Sequence, residues 1–130
     1  MRDMSHNIGP VLSLSPAART ASANGTAVDL LGFGEAAVLV TIGTWTDGTH
    51  TPKLQESDNG NSGWTDVAAG DLIGGFSVVN SAGGGNAVQR VSYIGNKRYI
   101  RAVLTVASAT NGAFAGVLVV RGNPASAPVA

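Results

Sequence analysis

The sequence predicts an all-β domain, an antiparallel β-sandwich or jelly roll with an extended arm before it and an extended tail after it. Three observations carry this reading. Most apolar runs repeat with a period of two, turn-forming dipeptides separate them at short intervals, and no helical period persists beyond about two turns. A chain of 130 residues is one domain's length and can bury a proper core.

Taken in order, residues 1–18 hold no sustained period and contain Pro10 and Pro16, which fix φ and lack a donor. They read as an extended arm, yet one carrying Met4, Ile8, Val11, Leu12 and Leu14, so it is expected to lie on its own domain or on a neighbouring subunit. The sandwich is expected over residues 19–121. Within Glu35–Trp45, Ala36, Val38, Val40 and Ile42 share one face of a strand. Within Arg98–Ser108, Ile100, Ala102, Leu104 and Val106 do the same, opposite the more polar set Tyr99, Arg101, Val103 and Thr105. Shorter strands are expected at Thr26–Leu31, Thr51–Ser57, Gly75–Val79 and Val88–Ile94, and Thr65–Gly70 as a turn or single loop helix. In Ala113–Arg121, Phe114, Leu118 and Val120 form one apolar face while Val117 and Val119 make the other apolar too. Such a strand is expected to be covered on both sides, by the arm or by another chain.

Asn24-Gly25, Asp47-Gly48, Asn59-Gly60, Gly83-Gly84-Gly85, Gly95-Asn96 and Asn111-Gly112 supply turn chemistry between the runs. Residues 122–130, with Pro124 and Pro128, read as the extended tail.

Charged residues make up only 12% of the chain, about half the usual share, which suggests a surface partly covered by partners. The net charge is zero but segregated. Residues 1–71 set Arg2, Arg19 and Lys53 against eight acids, whereas residues 72–130 hold Arg90, Lys97, Arg98, Arg101 and Arg121 and no acid. Either the two halves fold onto each other and the charges interleave, or oppositely charged surfaces meet between subunits, or the basic half faces an acidic partner. Cysteine is absent, so disulfides and thiolate metal sites are excluded. The first residues, Met1 to His6, lack the apolar stretch of a signal peptide, and no apolar run is long enough for a membrane helix. A soluble protein without a membrane partner is expected.

Catalytic chemistry is thinly provided. The two histidines are His6, in the arm, and His50, in a Thr/Gly/Asp-rich stretch. A Ser-His-Asp set using Asp47 is formally possible, but no Gly-x-Ser-x-Gly occurs, and His50 is expected as an exposed loop residue. The chain is expected not to be an enzyme, with no catalytic residues, cofactor or metal. Asp58-Asn59-Gly60-Asn61 lacks the spaced ligands of a calcium loop and reads as a hairpin tip. Lys97, Arg98 and Arg101 beside Tyr93 and Tyr99 could grip nucleic acid, but the neutral charge and the 5% aromatic content argue against it. Trp45 and Trp64 could be sugar platforms and are expected in the core instead.

The stretch Leu54-Gln55-Glu56-Ser57-Asp58-Asn59-Gly60-Asn61-Ser62-Gly63-Trp64-Thr65-Asp66-Val67 resembles a hairpin found in discoidin-like carbohydrate-binding domains and in small phage virion proteins. Val91-Ser92-Tyr93-Ile94-Gly95-Asn96-Lys97-Arg98-Tyr99-Ile100-Arg101 and its continuation to Val106, followed by the Gly/Ala-rich strand ending Val119-Val120-Arg121-Gly122-Asn123-Pro124, is similar to a family of short tailed-phage structural proteins. That resemblance implies a virion protein, above all a capsid decoration or cement protein on the outer head surface, made in the host cytoplasm. Its implied partners are the major capsid protein and copies of itself, as a dimer or trimer. Arg2, Met4, Ile8, Val11, Leu12 and Leu14 of the arm, with Val117 and Val119, are the expected partner-binding residues. A tail or baseplate protein, or a carbohydrate-binding module, are the alternative readings.

Overall fold

A computed structural model describes residues 1–129; Ala130, the last residue of the expected tail, lies outside the described residues. Among the described residues ten strands run β1 (Gly9–Arg19), β2 (Ala23–Asn24), β3 (Val28–Asp29), β4 (Phe33–Trp45), β5 (Thr49–Ser57), β6 (Thr65–Asp66), β7 (Leu72–Ile73), β8 (Ala87–Tyr93), β9 (Tyr99–Ala107) and β10 (Ala113–Pro124). They form two antiparallel sheets packed face to face. Sheet A has the order β1-β10-β4-β8-β7, and sheet B has β2-β9-β5-β6 with β3 also on β9. The all-β sandwich expected from the period of two is the fold.

The long strands alternate between sheets: β4 in A, β5 in B, β8 in A, β9 in B and β10 in A. The Asp47-Gly48 turn is therefore an arch from one sheet to the other. The Asn59-Gly60 turn, by contrast, joins strands that pair, β5 and β6.

Inward parity follows the apolar stripes. Ala36, Val38, Val40 and Ile42 of β4 lie against Ile100, Ala102 and Leu104 of β9, with Leu54 and Val28 completing sheet B's inner face. A fully buried Val, Ile or Leu side chain contributes roughly 1.5–3 kcal/mol, so these rows dominate the stability.

Several expectations need correction. Residues 9–19 are not an irregular arm but the edge strand β1, paired with β10 from Gly9↔Arg121 to Arg19↔Ala113. The sandwich thus begins at Gly9 and runs to Pro124. Two register shifts, at Leu12/Leu14 and Leu14/Ala17, absorb the irregular sequence around Pro16. The expected strand at Thr26–Leu31 shrinks to β3. Gly75–Val79 makes only a single bridge, His50↔Val79, after Gly74 turns the chain at φ +89°. Thr65–Asp66 is the short strand β6, and a 3-10 turn follows at Ala69–Asp71.

The first bulge has a structural use. β2 and β3 leave a gap opposite Ala102, whose N–H then lacks a strand partner. Ser13, turned inward and buried, fills that gap: its Oγ accepts from Ala102 N at 2.9 Å and donates to Thr26 O at 2.9 Å. Thr26 N in turn donates to Ser13 O at 2.6 Å. Gly25 is required beside it, because a Cβ there would stand 2.5 Å from Ser13 Oγ. This cluster stitches the edge of sheet A to sheet B.

Candidate protein–protein interface

The outward residues of the two sheets differ in kind. In sheet A the register aligns Pro10, Val120, Ala37, Ser92 and Ile73 in one row across the strands. The next row is Leu12, Leu118, Leu39 and Arg90, and beyond it lie Thr41 and Val88. Leu12 is 48% exposed, Ile73 61%, Val88 63%, Ile94 54% and Phe114 49%. The other exposed large apolar residues are Met1 and Met4 in residues 1–8, and Leu31 and Val78 in loops. Sheet B presents none. Its outer face carries Lys53, Gln55, Asp66 and Arg101, with Lys53 3.1 Å from Asp66, and Arg101 donating twice to Gln55 Oε1.

The exposed large apolar side chains of the sandwich thus gather on sheet A's side and the polar ones on sheet B's, which makes sheet A's outer face the candidate contact surface. A shallow groove of about 400 Å³ runs along the Glu35 end of sheet A's face, lined by Ile8, Ala37, Ile73, Ile94 and Val120. The Glu35 side chain leans over Gly122 at its rim.

The expected contact residues divide into three groups. Arg2 and Met4 are exposed, ahead of the sandwich, in a segment tied by Asp3 to Ser5 and His6. Residues 125–129 lie beside it, with Val129 N donating to His6 O at 2.7 Å. Ile8 and Leu12 border or stand on the apolar face of sheet A. Val11 is half-buried and Leu14, Val117 and Val119 are buried in the chain's own core, at 4%, 2% and 0% exposure. These last three cannot meet a partner. The physical reason is that β10's inner face is the Val117/Val119 face, not the Phe114/Leu118/Val120 face, and β1 covers β10 edge to edge rather than lying across it. Leu39, Leu118, Val120, Ile73 and Val88 belong to this candidate face and lie outside the expected contact set. The doubly apolar β10 is the available signal; Leu39 lies beside it on β4, on the face opposite the inward stripe of Ala36, Val38, Val40 and Ile42.

Other candidate chemistry is accounted for within the fold. His50 is not in an exposed loop: it is fully buried on the inner face of β5, with Nε2 3.0 Å from Asp47 O. The Asp47 carboxylate is engaged elsewhere, accepting from the N–H groups of Gly112, Thr110 and Asn111, at 2.7 Å for Gly112 and 3.0 Å for Thr110. Those donors hold its pKa below the ordinary range. Trp45 packs against the core and donates to Gly48 O, whereas Trp64 lies outside the core cluster, under the Arg101 guanidinium at 4.5 Å. Among the described residues no group of three or more His, Asp or Glu could hold a metal, and no helix is long and apolar enough to cross a membrane.

The basic cluster is paired internally. Arg98 grips Asp29 with two bonds of 2.9 Å, which lowers the Asp29 pKa to about 2, and Lys97 reaches Asp58 at 3.0 Å. These two pairs join the acidic and basic halves of the chain, whereas Arg101 donates to Gln55 and Arg121 to the Gly9 and Asp29 carbonyls.

No protein-family model matches the chain, and no curated protein matches it in sequence.

Proposed function

We propose that this chain is a non-enzymatic virion structural protein, a capsid decoration protein that binds the outer surface of a tailed-phage head and stabilises it. The observation that carries an assembly role is that the exposed large apolar side chains of the strands, Leu12, Ile73, Val88 and Phe114, all lie on the outer face of sheet A, with Ile94 just beyond the end of β8 beside them. A freely diffusing monomer rarely leaves such a face open. The resemblance of residues 54–67 and 91–124 to phage structural proteins supplies the virion setting.

In this reading the capsid is met by residues 1–8, with Arg2 and Met4 exposed, and by the neighbouring residues 125–129. Deleting residues 1–8 leaves β1 intact, so the domain should fold. The expected result is a folded protein whose occupancy of decoration-free heads falls about tenfold or more. Unchanged occupancy would sink this placement. Copy number per particle, read by quantitative mass spectrometry, discriminates head from tail: hundreds of copies support decoration, and a handful favour the tail or baseplate.

A further inference from the structure

We infer that the outer face of sheet A is closed by a second copy of this chain, giving an isologous face-to-face dimer. The inference rests on the assembly reading above and names the partner of that face.

Its size fits. Five strands at about 4.8 Å and roughly nine residues at about 3.3 Å span about 700 Å². A standard protein–protein contact takes roughly 800 Å² from each partner. An isologous contact uses the same patch twice, so its charges must be self-complementary. The charges on this face are Glu35, at the rim of the groove, and Arg90, on β8 opposite Leu39 and so four residues further along than Glu35. Among the described residues neither belongs to an ion pair within the chain. They are opposite in sign and offset along the strands. A two-fold axis in the contact plane, crossing the strands near Ala37, brings Glu35 of each copy over Arg90 of the other. Val120, Ala37 and Ile73 then lie along the axis, and on either side of it the row of Leu118, Leu39 and Arg90 in one copy faces the Glu35 row of the other.

Growth by the edge is opposed on the β1 side. β1 is the edge of sheet A, yet it carries Pro10 and Pro16 and two register shifts, which remove donors and twist the strand. The face, not that edge, is left for association. A neutral apolar face would suit any hydrophobic partner, but two opposite charges placed across one axis suit this chain's own copy.

Sedimentation velocity on the full chain tests this without any capsid present. The expected species has twice the 13.0 kDa of the single chain. Leu12→Lys, at a position already 48% exposed, should keep the circular dichroism and melting midpoint while raising the dimer Kd about tenfold or more. Arg90→Glu should weaken the dimer through repulsion with Glu35 of the other copy, and adding Glu35→Arg should restore it. A wild-type chain that stays monomeric, or a dimer indifferent to these changes, overturns the inference. So does a monomeric wild type whose capsid occupancy falls with Leu12→Lys, since the capsid would then cover the face. Capsid binding by a Leu12→Lys monomer, with a wild-type dimer, separates the two proposals: it supports the dimer face and leaves the residue 1–8 contact standing.

Discussion

Tyr93 sits 5% exposed at the inner end of β8, with its hydroxyl donating to Glu56 Oε2 at 3.1 Å and accepting from Lys97 N at 3.0 Å. The Tyr93 pKa is raised to about 12 from 10.0, chiefly because burial disfavours the phenolate, with the nearby Glu56 carboxylate adding to the shift and the Lys97 N–H opposing it. A raised folded pKa means that its stabilising contribution is complete below pH 10 and is lost as the pH climbs from 10 towards 12. Tyr93→Phe should therefore cost about 1 kcal/mol near neutrality, through the lost hydrogen bonds, and should lessen the destabilisation above pH 10. Urea unfolding of both proteins at neutral and alkaline pH measures this, and an unchanged alkaline slope would contradict it. None of this was legible in the sequence, where Tyr93 read only as a neighbour of basic residues; its burial depends on which strand β8 pairs with.

At the scale of elements, the connections do more than turn the chain. The β4–β5 arch and the β9–β10 loop meet at Asp47, whose carboxylate takes N–H groups from Thr110, Asn111 and Gly112. Gly112, at φ +75°, packs so closely on the Arg19 carbonyl that no Cβ fits. Those backbone donors depress the Asp47 pKa, so its contribution is present above the ordinary carboxylate range and is lost as the pH falls through its lowered value. Asp47→Ala should speed exchange of the three loop amides about tenfold or more and lower the melting midpoint by a few degrees, with a smaller effect from Asp47→Asn. Hydrogen exchange by NMR at pH 6 checks it; unchanged protection at Gly112 would show that Asp47 does not latch the loops. Both dipeptides, Asp47-Gly48 and Asn111-Gly112, are visible as turns in the sequence. Their mutual contact is not, since 63 to 65 residues separate Asp47 from its donors.

For the whole molecule, the alternation of long strands between sheets makes nearly every pairing non-local: β1 pairs β10 and β4 pairs both β8 and β10. Loop closure must precede those contacts, so folding is expected in milliseconds to seconds and not in microseconds. Stopped-flow fluorescence of Trp45, packed against the core, reads it; relaxation in tens of microseconds would mean that local structure dominates. The surface divides at the same scale, a polar outer face on sheet B and an apolar one on sheet A. Low charge content alone does not locate an apolar face; locating it on sheet A takes the pairing of β4 with both β8 and β10.

What the sequence by itself determined is the β class, the inward stripes of β4 and β9, and the positions of most turns. Those follow from local chemistry: a period of two assigns a face wherever one side is clearly apolar and the other is not, and Gly with Asn or Asp marks where φ turns positive. Only the tertiary structure decided that residues 9–19 form an edge strand, that Val117 and Val119 point inward while Leu118 and Val120 point out, and that His50 is buried. In β10 both faces are apolar, so parity alone cannot choose between them. The choice is made by long-range hydrogen bonding to β1 and β4, which sets the register and with it the face that meets sheet B.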